Sequence, residues 1–226
     1  MYSSFNPEFL TSKKATPYEV KEAWKNRVRT HLSGNGFLTV GRKYVRVDDI
    51  LDMSSDFKEA YKIKAEIITG KPAISIDPCT RIMEGLPGEE IQRADRSDET
   101  VDVQVLPKWK SGELVGRAGF KAGDKSFEYH GKSLSTPRYW QKKHDIGFVD
   151  DDDEMLNIYI PDYDMELPYP ASVVFGSFSR GRSLPDDLKK DPKPRVSEAA
   201  GAANRLFDAL QFTGKRVDLS KLTTAQ

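Results

Sequence analysis

Nine cations and six aromatic rings share the stretch between Val105 and His144. The cations are Lys108, Lys110, Arg117, Lys121, Lys125, Lys132, Arg138, Lys142 and Lys143, and the rings are those of Trp109, Phe120, Phe127, Tyr129, Tyr139 and Trp140. Three acids, Glu113, Asp124 and Glu128, oppose them, leaving a local excess of six positive charges. Ammonium and guanidinium groups meet phosphates, and flat rings stack on bases. Interleaved in this way they suit a single-stranded nucleic acid. The same residue types also have a plainer use, since Lys and Arg solvate a surface and aromatics fill a small core.

The segment that follows has the opposite sign. Nine acids and no Lys or Arg lie between Asp145 and Pro170. A chain divided like this also fits a rival function, a protein-interaction module that docks a partner through opposed basic and acidic patches. The run Asp150-Asp151-Asp152-Asp153-Glu154 is expected to be a solvated loop, because it lacks the spaced, Gly-containing ligand pattern of a Ca²⁺ loop.

Signals for covalent chemistry are missing. There is no Walker loop, no GxSxG, no GxGxxG after a strand and no Cys–His arrangement. Gly116-Arg117-Ala118-Gly119 is too short for a phosphate loop, and Asp77 before Pro78 reads as a turn former. Cys79 is the single cysteine, which excludes an internal disulfide framework and a thiolate cluster. His31, His130 and His144 are far apart in sequence and match no metal-ligand spacing. No catalytic residue, metal site or cofactor is expected, and the chain is not expected to be an enzyme.

These groups must be positioned by a chain of 226 residues, enough for one large domain or two small ones. Lys plus Arg and Asp plus Glu each total 35, so the net charge is zero, against a wholly basic coat protein. No apolar run approaches the roughly 20 residues that span a bilayer. The start, Met1-Tyr2-Ser3-Ser4-Phe5-Asn6-Pro7, has no signal-peptide character. A soluble, cytoplasmic chain without a membrane partner is expected.

Thr16-Pro17-Tyr18-Glu19 is a capping box with Pro at the first helical position, and Val20, Trp24, Val28 and Leu32 make one apolar stripe behind it. Residues 37–45 read as a strand with a turn. Residues 62–76 alternate with period two around Thr69-Gly70-Lys71-Pro72 and predict an antiparallel hairpin. Residues 84–100, rich in Gly, Glu, Asp and Arg, read as a linker or exposed loop. From Val101 to Phe178 short strands separated by Gly112, Gly116, Gly119, Gly123 and Gly131 predict a small barrel, interrupted by a helix over 137–144. Arg180 to Pro194 reads as a connector, and Ser197 to Phe212 as a last helix. The fold class expected is mainly β (α+β).

At residues 139–178 a specific likeness emerges. Tyr139-Trp140-Gln141-Lys142-Lys143-His144 is followed by the acidic loop, then Leu156-Asn157-Ile158-Tyr159-Ile160, Glu166-Leu167-Pro168-Tyr169-Pro170 and Val173-Val174-Phe175. This order resembles the second half of an Argonaute PAZ domain, differing from the usual family pattern at Glu166 and Pro170. Upstream, Gly36-Phe37 with Gly41-Arg42-Lys43-Tyr44 is similar to a stretch of the Argonaute N domain. Residues 65–78 look like the linker hairpin before PAZ, and Leu184-Pro185 with the last helix resembles the second linker.

The resemblance, to the prokaryotic type, implies an N-domain remnant at 1–60, a linker hairpin and loop at 61–100, PAZ at 101–179 and a second linker at 180–226. It implies an open OB-like or SH3-like barrel with an inserted hairpin and helix that grips the 3′ end of a single-stranded guide, RNA or DNA, in silencing or host defence. The matching pocket positions are Phe127, Tyr139, His144 and Leu167. From the basic and aromatic stretch, Trp109, Arg117, Arg138, Lys142 and Lys143 are expected as accompanying nucleic-acid contacts. Tyr139 is expected to face the pocket and Trp140 the core. The MID and PIWI domains of that family have no counterpart in these residues, which points to a separate MID–PIWI partner.

Overall fold

A computed structural model describes residues 16–97, 99–177 and 192–207. The chain divides into two compact units. One holds the described parts of Met1–Asn35, Lys62–Pro78 and Asp191–Gln226, the other Gly36–Tyr61 and Cys79–Lys190.

In the first unit, helix α1 (Pro17–Gly34) starts at the expected capping box. The Thr16 hydroxyl accepts from the Glu19 N–H at 3.3 Å, and the Thr16 N–H donates to the Glu19 carboxylate at 2.7 Å. Trp24, Val28 and Leu32 are buried, and the Trp24 indole N–H donates to the Ala73 carbonyl at 3.0 Å. The last helix (α5, Pro192–Phe207) begins five residues ahead of the expected Ser197. Pro192 and Pro194 fall in its first turn, where a missing N–H leaves no intrahelical bond unmade. Residues 208–212 and the Leu184-Pro185 motif lie outside the described residues.

A four-stranded antiparallel sheet runs β1 (Phe37–Val40), β2 (Lys43–Arg46), β3 (Phe57–Ile68), β4 (Lys71–Ile82). A short helix, α2 (Val47–Leu51), follows β2. The β3–β4 hairpin is longer than the alternation predicts. Its turn, Thr69 (φ 50) and Gly70 (φ 76), is a two-residue loop with both residues left-handed, which matches strand twist.

The second unit is built on a six-stranded sheet in the order β11-β10-β7-β6-β12-β5. Its strands are β5 (Glu84–Gly85), β6 (Val101–Val105), β7 (Lys110–Lys121), β10 (Glu154–Ile160), β11 (Met165–Pro170) and β12 (Val174–Gly176). The barrel expected from the glycine spacing is not closed, for β11 and β5 are the open edges of this sheet. The overall class is nonetheless the mainly β, α+β one. Period two divides the sheet residues between two cores. Val101, Val103, Val105, Leu114, Leu156, Ile158, Ile160 and Val174 join Ala94 in one. Met155 and Phe175, one position off along the same strands, join Leu106, Trp140, Ile146 and Val149 in the other.

Two local expectations are corrected. Residues 84–100 contain a helix, α3 (Gly88–Arg96), with Glu89 and Glu90 in its first turn and Arg93 and Arg96 in its last, the arrangement that complements the helix dipole. Ile91 and Ala94 pack it on the sheet. The Gly-punctuated stretch around Leu114 is one 12-residue strand, β7. Gly112 does not turn the chain. A Cβ there would stand 2.6 Å from Ile158 Cγ2 and 3.0 Å from Ile160 Cδ1, so glycine makes room for β10. The Leu-Pro segment forms strand β11, with Leu167 opposite Ile158.

Between β7 and β10 lies the insert. The hairpin β8 (Ser126–Tyr129) and β9 (Lys132–Ser135) turns at His130 (φ 50) and Gly131 (φ 71), and leads into helix α4 (Thr136–His144). Thr136 is buried, and its N–H and hydroxyl both donate to the Lys125 carbonyl, at 3.1 and 3.0 Å, so the helix start is fastened to the hairpin start. Asp145 closes α4 in the left-handed conformation. The acidic loop is more tied down than a solvated loop: Ala122 and Gly123 N–H groups donate to the Asp153 and Asp151 carbonyls at 2.8 and 2.9 Å. Half-buried Asp153 accepts from Ser172 at 2.6 Å, and burial holds its carboxyl above the ordinary range.

Candidate nucleic-acid interface

Helix periodicity places Tyr139 and Trp140 differently although they are neighbours. Trp140 is 5% exposed and part of the core, whereas Tyr139 is half-buried on its border. The Tyr139 ring lies 4.9 Å from that of Phe127 at 32°, with Tyr129 edge-on at 6.1 Å and His144 edge-on at 5.8 Å. Phe127 and Tyr129 reach it together because they are two apart on β8 and share a face. Tyr139 and His144 stand about 500° apart around the helix, near enough for their rings to meet. His144 also touches Trp140 at 4.8 Å, and Trp140 touches Tyr169 of β11 at 5.8 Å. The result is an aromatic row from the insert to the sheet.

The row carries positive charge. The Lys143 ammonium bonds to the Tyr139 hydroxyl and sits 4.7 Å from the centre of its ring. Burial, then the charges of Lys143 and Lys108, lower the His144 pKa from its ordinary 6.5 to about 4. Imidazole is therefore neutral at pH 7, a ring that stacks and hydrogen-bonds without adding charge. The Tyr169 hydroxyl is pushed up, mainly by burial, and stays a proton donor. A phosphate, a hydroxyl and a base could each find a partner here.

His144 makes a pH prediction. The unfolded chain takes up a proton near 6.5 that the folded ring accepts only near 4. Between those values the unfolded state binds more protons, so this group's contribution to stability falls as the pH falls through that window. In urea unfolding, the advantage of wild type over His144→Gln should be larger at pH 7 than at pH 4.5. An advantage that does not change with pH would contradict the buried, neutral imidazole.

Other sequence candidates lie outside the row. Arg117 is held by Asp95, which also accepts its N–H at 2.7 Å, and by Glu154 at 2.6 Å. Leu167 packs on the other core, and Tyr169, two residues on, is the β11 residue that meets Trp140. Arg138 is exposed and lines a shallow polar depression with Gly123, Ser133, Leu134, Ser135 and Asp151. Lys142 is exposed with no ion pair among the described residues. Trp109 rests against Phe175 at 5.4 Å, with Arg81 over its ring. Sequence reasoning does not single out Tyr129, Tyr169 or Lys108 as site residues. The alternation of β8 is the available signal for Tyr129.

The division of charge in sequence is not a division in space. Lys110–Asp162 at 2.7 Å, Arg117–Glu154 at 2.6 Å and Lys121–Asp152 at 2.7 Å all cross between the basic and acidic stretches. Lys108, Lys125, Lys132, Arg138, Lys142 and Lys143 are left without an ion pair among the described residues, so the uncompensated charge belongs to the insert and the turn before β7.

No family model matches the chain, and no curated protein matches it in sequence. Solved structures do match. The crystal structure of Drosophila Piwi is similar over 91% of this chain and 27% of its own, at 16% identity and a TM-score of 0.51. The Marinitoga piezophila Argonaute, in complex with 5′ OH guide RNA and target DNA, is similar over 87% of this chain and 27% of its own, at 15% identity and a TM-score of 0.46. The Drosophila Argonaute2 PAZ domain is similar over 39% of this chain and 78% of its own, at 13% identity and a TM-score of 0.31. What the chain shares with Piwi at this identity is the fold, and it spans about a quarter of Piwi's length.

Proposed function

We propose that the chain is a non-catalytic, nucleic-acid-binding module of Argonaute type that anchors the 3′ end of a single-stranded guide. The observation that carries this is the Tyr139 cluster. Tilted and edge-on rings from an inserted hairpin and helix surround a tyrosine, with cations beside it and no carboxylate among the groups acting on His144. Rings give a base something to stack on, and Lys143 with Lys108 gives the terminal phosphate a counter-charge. The fold shared with Piwi supports the reading. On it, residues 1–60 are an N-domain remnant, 61–100 and 180–226 are linkers, and 101–179 are PAZ. On this reading the described residues bind the guide and do not cleave, within a cytoplasmic silencing or defence system. No helix among the described residues is long and apolar enough to cross a membrane.

The test compares single strands, RNA and DNA, with a free 3′ terminus and with a bulky 3′ block. A site that encloses the end should lose most of its affinity for the blocked strand. Equal affinity for both would leave only a basic face that tracks the backbone, and overturn end anchoring.

A further inference from the structure

Arg81 at the end of β4 is a cation without a counter-charge among the described residues. It is half-buried, its Nε is shut off from solvent with no hydrogen-bond partner, and no ion pair reaches it among the described residues. Burial holds its guanidinium below the ordinary range, yet an arginine stays charged at neutral pH. Buried charges are ordinarily paired, because an uncompensated one opposes folding. What holds this one is a ring: the guanidinium carbon lies 4.5 Å from the centre of Trp109.

The surroundings are cationic. Gly41, left-handed at φ 64, faces this pair, and a Cβ on it would lie 3.5 Å from Arg81 Nη2 and 3.4 Å from Trp109 Cβ. Arg42 follows Gly41 in the chain, and Lys43 reaches the Thr80 carbonyl, next to Arg81, at 3.3 Å. Lys108 precedes Trp109. None of Arg42, Lys43, Arg81 and Lys108 has an ion pair among the described residues. Trp109 packs against the same core as Tyr139, Trp140 and Tyr169.

We propose that Arg81, seated on Trp109 and flanked by Arg42, Lys43 and Lys108, binds a backbone phosphate of the strand whose end enters the Tyr139 cluster. This rests on the end-anchoring reading and adds a second point of attachment. A flat guanidinium matches phosphate oxygens, and the ring behind it fixes its plane. Lys108 belongs to both places, being next to Trp109 in sequence and near enough to His144 to act on its charge.

A neutral methylphosphonate moved linkage by linkage along a single strand with a free 3′ end tests the assignment. One linkage should weaken wild-type binding about tenfold, the size of one charge-assisted contact. Arg81→Gln should weaken the unmodified strand similarly, be indifferent to the methylphosphonate at that linkage alone, and lower the salt slope by about 0.7. Its thermal stability should equal or exceed wild type, since an unpaired charge has gone. Should Arg81→Gln not fold, Arg81→Lys must show the same linkage-specific effect at smaller size. End-selective binding with Arg81→Gln unchanged at every linkage would overturn this inference alone. A uniform loss at all linkages with reduced stability would assign Arg81 a structural role and also overturn it. A wild type that binds no single strand would defeat the end-anchoring reading and this inference together.

Discussion

Tyr139→Ala should weaken binding to a single strand with a free 3′ end by about 1–3 kcal/mol, the range for losing one base-stacking ring. The substitution removes the ring that Phe127, Tyr129 and His144 surround and the hydroxyl that Lys143 holds. Titration of a labelled oligonucleotide reads the loss directly. Tyr139→Phe divides it, since the ring remains and only the contact to Lys143 is lost. Lys142→Ala should have a smaller effect, expressed mainly as a shallower salt dependence, because an exposed lysine meets phosphate without recognising an end. The blocked strand supplies the control. A pocket residue matters for the free end and little for the blocked one, so a Tyr139→Ala variant neutral on both would remove Tyr139 from the site.

Features decided by neighbours along the chain are legible in the residues themselves. The capping box at Thr16 and the stripe from Val20 to Leu32 are local statements, and α1 follows them. So is the separation of Tyr139 from Trp140 on a helix with Pro137 in its first turn. What stays illegible depends on partners far along the chain. Glycine at 112 looks like a turn signal until Ile158 and Ile160 fill the space its side chain would occupy. Arg117 looks like a free cation until β7, β10 and α3 bring Glu154 and Asp95 to it. Helix α3 buries little apolar surface of its own, Ile91 and Ala94, so its composition resembles a loop. Arg81 gives no signal at all in sequence, because its distinguishing properties, an Nε without a hydrogen-bond partner and no ion pair among the described residues, exist only in space.

Trp140→Ala should lower the free energy of unfolding by about 3–5 kcal/mol, the range for truncating a large aromatic in a packed core. Trp140 is 5% exposed and shares its cluster with Ile146, Val149, Met155 and Phe175, so the void cannot be filled from solvent without wetting an apolar core. Urea unfolding measures this, and Tyr139→Ala should lose less because its ring is half-buried. The consequence for binding separates support from contact. Trp140 lies 4.8 Å from His144 and 5.8 Å from Tyr169, so it seats both rings without facing a ligand. With the indole gone, His144 should be better hydrated and its pKa should rise from about 4 towards 6.5, a change that an NMR titration follows. Tyr139→Ala, by contrast, should reduce affinity while leaving most of the stability in place. Matching losses of stability and affinity in both variants would mean that the cluster is simply core, and that its rings meet no strand.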